Sequence, residues 1–285
     1  MSGSLLERAL GILELLAAEA PGMRLNDVAE RLDLPKSAAH RLLAELTRHG
    51  YVRQNASGSY LLTTKILSLG HAWLGSSGVV DMVQPILDRL ATQTGELVRY
   101  AVVDGDRLTW VAKAQGARFG LRLDPDQGME AMLFCTATGH AWLSTLPDEE
   151  AVRLVLNQGF GHFDEFGPNA PRTLDALRNS LVTARVRGYA VLTESNAVGT
   201  AAMATPVVHP ASGHVVGVLG ISGPSARWTE QRMHEVAPAL KEAAGEIGMT
   251  ASDALVPVLA DRPPIGRGSV RLAVGGRKTA SGDRR

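Results

Sequence analysis

Between Pro35 and Lys65 the chain carries Lys36, Arg41, Arg48, Arg53 and Lys65 against the single acid Glu45, with His40 and His49 added. A local basic excess of this kind is chemistry for a polyanion. Spacing sorts the side chains further: Ala39, Leu42, Leu43 and Leu46 recur with helical period, so Lys36, Ser37, His40, Arg41 and Ala44 project from the opposite side. That face is suited to a DNA major groove. Lys36 and Ser37 fall at the helix start, where free backbone N–H groups and the dipole favour a phosphate, while His40 and Arg41 are placed for base edges. Downstream, Arg53, Gln54, Asn55 and Ser57 would lie beside the duplex, with Tyr60 packing the returning strand.

The elements that must position this face are legible around it. Ser4 and Glu7 form a capping box, and Leu5, Leu6, Ala9, Leu10, Leu13 and Leu16 continue as a helix to about residue 20, ended by Pro21-Gly22. Asn26 is the expected cap of a second helix with Val28, Ala29 and Leu32 as its apolar face. Asp33 occupies the turn position where glycine is usual, and a left-handed Asp is tolerable there. Pro35 opens the third helix and Gly50 ends it, after which short strands at 51–54 and 60–62 flank the turn Asn55-Ala56-Ser57-Gly58. Three helices and a hairpin make a winged helix-turn-helix. A helical hairpin with a solvated basic face, or a winged helix used for protein contact, is the competing reading.

Beyond it, a helix from Thr64 to Trp73 precedes Gly75-Ser76-Ser77-Gly78, read as a hinge. A helix at 80–94 follows, then strands at 97–103 and 108–114 joined by Asp104-Gly105-Asp106, helices at 137–144, 148–157 and 174–187, strands at 189–192, 203–208 and 215–222, and a helix at 229–249. Most adjacent strands are joined by short turns, which predicts an antiparallel sheet flanked by helices and an α+β fold class. The expected division is a winged helix-turn-helix at 1–63, a linker helix and hinge at 64–78, a sensing domain at 79–250 and a disordered basic tail at 251–285.

Composition bounds the function classes. A hydrophobic share of 45% and a charged share of 20% supply a core for both units, and equal totals of 29 basic and 29 acidic residues give no partner from net charge alone. Cys135 is the one cysteine, so no intramolecular disulfide forms and a reducing cytoplasm is the expected location. No run reaches the roughly 18 apolar residues of a membrane span. Cys135, His140, His162 and Glu194 supply the residue types of a nucleophile, base and orienting acid, and His140, His162, His209, His214 and Cys135 those of a metal site. Neither set has the spacing of a known local signature. A hydrolase or a metal-binding sensor therefore stays the alternative, and the expectation is a non-enzyme with no cofactor, no catalytic residue and no metal.

The stretch LNDVAERLDLPKSAAHRLLAELTRHGYV, followed by GSYLLTTKILSLG, resembles the DNA-binding half of the IclR family of bacterial regulators. ELVRYAVVDGDRLTWVAK, LFCTATGHAWLSTLPDEE, RVRGYAVLTESNAVGTAAMATPVV and GHVVGVLGISGP resemble its GAF-like effector-binding domain, and the likeness extends from Leu5 to Met249. The resemblance implies a sequence-specific transcriptional regulator whose operator binding is modulated by a small molecule. It further implies an effector held between the sheet and a loop–helix junction matching Thr136, Ala137, Thr138 and Gly139, with polar positions matching Leu192, Ala202, Gly220 and Ser222. Only Ser222 keeps a serine, and the acid usual at Leu192 is absent, so this site is less polar than the family's glyoxylate- or pyruvate-type sites. Trp110, Phe119, Leu121, Met129, Met132, Phe134, Leu192 and Met203 form a pool of apolar lining residues suited to a partly hydrophobic carboxylate or an aromatic compound. Ordinary core packing explains each of them equally well. A lone winged helix has a small interface, which predicts a homodimer on a pseudo-palindromic operator, and the resemblance adds sensing domains that join two dimers into a tetramer.

Overall fold

Ser4 accepts a hydrogen bond from the Glu7 amide at 3.2 Å while the Glu7 carboxylate accepts one from the Ser4 amide at 2.6 Å, and this box starts α1 (Leu5–Ala18). The computed structural model describes residues 4–19, 21–123 and 128–250; the basic tail expected at 251–285 lies outside the described residues. The chain divides between Trp73 and Leu74 into two compact units.

In the first unit, α2 (Leu25–Arg31), α3 (Lys36–Arg48) and the antiparallel strands β1 (Val52–Gln54) and β2 (Tyr60–Leu62) follow α1. Ile12, Leu16, Val28, Leu42, Leu43, Val52 and Tyr60 close one core. Asn26 is not the cap expected of it: α2 begins at Leu25 with Arg24 as its N-cap and no side-chain capping bond. Asp33 does take the left-handed backbone, at φ 50°.

Helix α4 (Thr64–Ser77) corrects another expectation, because it runs through Gly75, Ser76 and Ser77, where the composition reads as flexible. One glycine and two serines weaken a helix by only about 1 kcal/mol or less each, and here they do not end it. The break falls on Gly78, whose φ of 63° favours glycine, and α5 (Val79–Thr94) starts beyond it.

The second unit is built on a five-stranded sheet in the order β4-β3-β7-β6-β5, comprising β3 (Leu97–Asp104), β4 (Arg107–Gln115), β5 (Ala190–Thr193), β6 (Thr200–Val208) and β7 (Val215–Pro224). Every neighbouring pair is antiparallel, as the short connections predict. One face packs Val98, Tyr100, Met203, Leu219 and Ile221 against α5 and α9 (Glu230–Thr250). The other packs Ala101, Trp110, Ala204 and Val218 against α6 (Ala137–Leu143), α7 (Asp148–Gln158) and α8 (Leu174–Arg187). Among the described residues no helix is long and apolar enough to cross a membrane.

Candidate functional site

The packing of α3 decides which of its side chains reach solvent. Ala39, Leu42 and Leu43 are buried, and Lys36, Ser37, His40, Arg41 and Ala44 are all exposed on the other side. Pro35 supplies the carbonyl that accepts from the Ala38 and Ala39 amides. Charge pairing then separates the two ends of the helix. Arg48 holds Glu45 in a hydrogen-bonded pair that keeps the Glu45 carboxyl below its usual range, which neutralises the C-terminal turn. Lys36 and Arg41 make no hydrogen bond or ion pair among the described residues, so their charge is left for a partner.

Sequence reasoning assigned Asn55 and Ser57 to the DNA surface together with Arg53, and the structure divides that group. Arg53 is exposed and unpaired among the described residues. The Asn55 side-chain oxygen instead accepts from the Ser57 amide at 3.1 Å, the Ser57 hydroxyl at 2.7 Å and the Ser59 amide at 2.9 Å. Those bonds make the turn, and they leave Asn55 and Ser57 mainly as its organisers.

On the sheet face toward α6, three of the expected positions form one row. Leu192 stands opposite Ala202, and Ala202 opposite Ser222, across β5, β6 and β7. The next row on the same face runs Lys113, Arg99, Gly220, Ala204 and Ala190 across all five strands. Arg99 was not anticipated, since ELVRYAVVD reads as generic strand sequence. Period-two alternation with Leu97 and Ala101 was the signal that could have found it. Its guanidinium lies 3.9 Å from the centroid of the Trp110 ring, and burial pushes its pKa down to about 10.

The α6 junction lies over this face, and its hydroxyls have separate jobs. Thr136 caps the helix: its oxygen accepts from the Gly139 amide at 2.9 Å and its hydroxyl donates to the Met132 carbonyl at 2.7 Å. It is therefore engaged. Thr138 is buried with no side-chain partner among the described residues, and the position of a β-carbon on Gly220 would fall 3.3 Å from its Oγ1. Gly139 is required because a β-carbon there would sit 2.4 Å from the Leu133 carbonyl oxygen. Ala137 is buried beside it.

The apolar pool splits. Trp110 borders the Arg99 row, with Met129 bonded to its backbone through the Met129 carbonyl at 3.1 Å. Phe134 is buried in an edge-to-face cluster with Phe160 and Phe166, at centroid distances of 5.1 and 5.0 Å, and Met132 packs partly buried in the same core. Three residues are not brought to the site. Met203 points to the α5–α9 face, since it alternates with Ala202 and Ala204. Phe119 is 91% exposed and, with Thr92, Gln115 and Arg227, lines a surface cleft of about 530 Å³; Leu121 is exposed as well.

Two of the residues considered for catalysis, Cys135 and His140, are buried and engaged separately. The Cys135 thiol is buried, which pushes its pKa up to about 12, and it donates to the Asn196 side-chain oxygen Oδ1 at 3.7 Å. His140 is wholly buried between the Phe134 carbonyl at 2.7 Å and the Ser180 hydroxyl at 2.9 Å, and burial pushes its pKa down to about 4. A neutral, doubly bonded imidazole here is structural. Among the described residues no three His, Cys, Asp or Glu side chains group as metal ligands.

Residues 5–56 match the family model described as the IclR helix-turn-helix domain, and residues 71–249 the one described as the bacterial transcriptional regulator IclR C-terminal region. The HTH-type transcriptional repressor AllR of Salmonella typhi is 29% identical over 243 residues, spanning 85% of this chain and 88% of that protein. The IclR protein of Thermotoga maritima superposes with a TM-score of 0.65 at 26% identity, covering 87% of this chain and 98% of that one. An IclR homologue from Microbacterium hydrocarbonoxydans, complexed with 4-hydroxybenzoate, shares the fold with a TM-score of 0.71 at 20% identity, covering 88% of this chain and 100% of that one.

Proposed function

This chain belongs to the IclR family of bacterial transcriptional regulators, and from that premise we propose that it binds a duplex operator through α3 and the wing and is switched by a small organic acid bound on the α6 side of its sheet. The observation that carries the DNA half is the exposed row Lys36, Ser37, His40 and Arg41, with both of its permanent cations unpaired among the described residues. Lys36 and Ser37 contact phosphate, His40 and Arg41 contact base edges, and Arg53 tracks the neighbouring backbone.

The effector half is supported by the register that sets Leu192, Ala202 and Ser222 in one row beside Gly220, with the Thr138 hydroxyl close to Gly220. Leucine, alanine and glycine at three of these positions favour a ligand with an apolar or aromatic body. The fold neighbour complexed with 4-hydroxybenzoate carries such a molecule on the same architecture. Functional division follows the two compact units, with α4 and Gly78 coupling them, and a homodimer reads two half-sites, with tetramers formed through the sensing units. The experiment is a mobility-shift titration of the full chain against the DNA upstream of its own gene at low and high salt. Binding that weakens steeply with salt and exceeds binding to scrambled DNA is expected. Equal retention of both DNAs overturns the regulator reading.

A further inference from the structure

Arg99 sits on β3, an interior strand of the sheet, in a row that packs under a helix, where a cation does not fit. Its row neighbours on β7, β6 and β5 are Gly220, Ala204 and Ala190, and its neighbour on β4 is Lys113, a charge of the same sign. Arg99 is half-buried, and no hydrogen bond or ion pair holds it among the described residues. Other arginines of this unit are engaged: Arg227 grips Glu96 at 2.6 Å, Arg153 grips Asp106 at 2.8 Å, and Arg185 grips Asp148 at 2.9 Å. An unpaired cation taken out of water is costly, and such groups are retained where a partner arrives later.

We infer that Arg99 is the anchor for the carboxylate of the effector, an inference that rests on the effector-binding reading of this face. Three observations converge. The guanidinium carbon lies 3.9 Å from the Trp110 ring centroid, a cation–π contact that restrains the side chain without using its N–H donors, which a planar carboxylate meets with two parallel hydrogen bonds. The Trp110 indole N–H is itself buried without a partner, and the buried residues Thr138 and Ser222 carry hydroxyls with no hydrogen bond among the described residues. Donors in search of acceptors therefore border one small patch. Finally, Gly220 directly opposite Arg99 carries no side chain, and the Thr138 hydroxyl comes to 3.3 Å from where its β-carbon would stand, which brings a polar group down onto the same row.

The chemistry selects a monocarboxylate with an apolar or aromatic body. Ala101, Ala204, Ala202 and Leu192 on this face offer nothing to the second charge of a phosphate ester, and Lys113, the other cation of the row, is itself engaged, whereas the hydroxyls of Thr138 and Ser222 suit one polar substituent. Arg99 replaces, from a different strand, the polarity that Leu192, Ala202 and Gly220 do not provide.

The test uses the full-length protein with three probe acids, benzoate, phenylacetate and 4-hydroxybenzoate, and the neutral isostere benzamide, read by thermal melting and isothermal titration. At least one acid should raise the melting temperature and bind at least about tenfold more tightly than benzamide. Arg99→Met should weaken that acid about tenfold to a hundredfold and abolish the preference over the amide, and Arg99→Lys should restore part of it. Benzamide binding as tightly as the acids overturns the anchor without any mutation, as does Arg99→Met retaining wild-type affinity. If none of the acids binds while the protein still shifts its upstream DNA, the anchor falls and the regulator stands. If the acids bind with the stated preference while DNA is ignored, the anchor stands and the operator reading falls.

Discussion

Arg41 and Arg99 are the same side chain, each without a counter-ion among the described residues, in two different solvents. Arg41 stands in water on α3, where an unpaired charge costs nothing and waits for a phosphate or a base edge. Arg99 lies half-buried on the sheet against Trp110, where burial alone pushes its pKa down to about 10. A solvated cation therefore says only that a polyanion is welcome. A desolvated one says that the folded state carries an electrostatic cost until an anion arrives, which makes it the more informative of the two.

That contrast requires the interior around α6 to be dry, and His140 is the place to break it. Its pKa is about 4 in the folded protein against 6.5 for an ordinary histidine, so below pH 6.5 the unfolded chain binds the extra proton. The stabilising contribution is complete above pH 6.5 and is lost as pH falls through 4, amounting to about 3 kcal/mol. Calorimetric melting from pH 8 to pH 4 should show that slope in the wild type and a shallower one in His140→Gln. Parallel curves would mean water reaches this core, and the cost assigned to Arg99 would shrink with it.

The same substitution at the two arginines sharpens the contrast. Arg41→Met should leave stability within about 0.5 kcal/mol and cost about 2 kcal/mol, some thirtyfold, in operator affinity, with relaxed base preference at the contacted position. Arg99→Met should do the reverse to stability, raising the ligand-free protein by about 1 to 2 kcal/mol because an unpaired charge is exchanged for an apolar chain of similar volume. Urea unfolding of both variants decides the matter. A destabilised Arg99→Met would place an acceptor near the guanidinium and remove the premise of the anchor.

Why one region was legible in the sequence and the other only partly so follows from what each one uses. The α3 face is set by local rules: Ala39, Leu42, Leu43 and Leu46 repeat at helical spacing, and Asp33 takes its turn conformation within a few residues. The sheet was legible as strands and short turns, and its boundaries fall within a few residues of those expected. The site on that sheet needs register between β3, β5, β6 and β7, which no single stretch of chain contains. Met203 was misplaced because residue type was weighed without parity, although its neighbours Ala202 and Ala204 already claimed the α6 face. Phe119 was misplaced because an apolar residue in a loop carries no period at all, and it stands 91% exposed. Thr136 could have been read correctly, since a threonine three residues before Gly139 at a helix start is a cap.

The smallest expected effect separates position from recognition within α3 itself. Lys36 and Arg41 are both exposed and unpaired among the described residues, yet Lys36 sits at the first residue of the helix and Arg41 more than one turn further along the face. If Lys36 neutralises a phosphate, Lys36→Ala removes one released counter-ion and flattens the logarithmic salt dependence of binding by about one unit per site. The loss should be the same for the operator and for scrambled DNA, because a phosphate carries no base identity. Arg41→Met should instead leave the salt slope less changed and lower operator affinity more than non-specific affinity. Titrations at several salt concentrations on both DNAs distinguish the two, and a Lys36→Ala loss confined to the operator would move base recognition to the start of the helix.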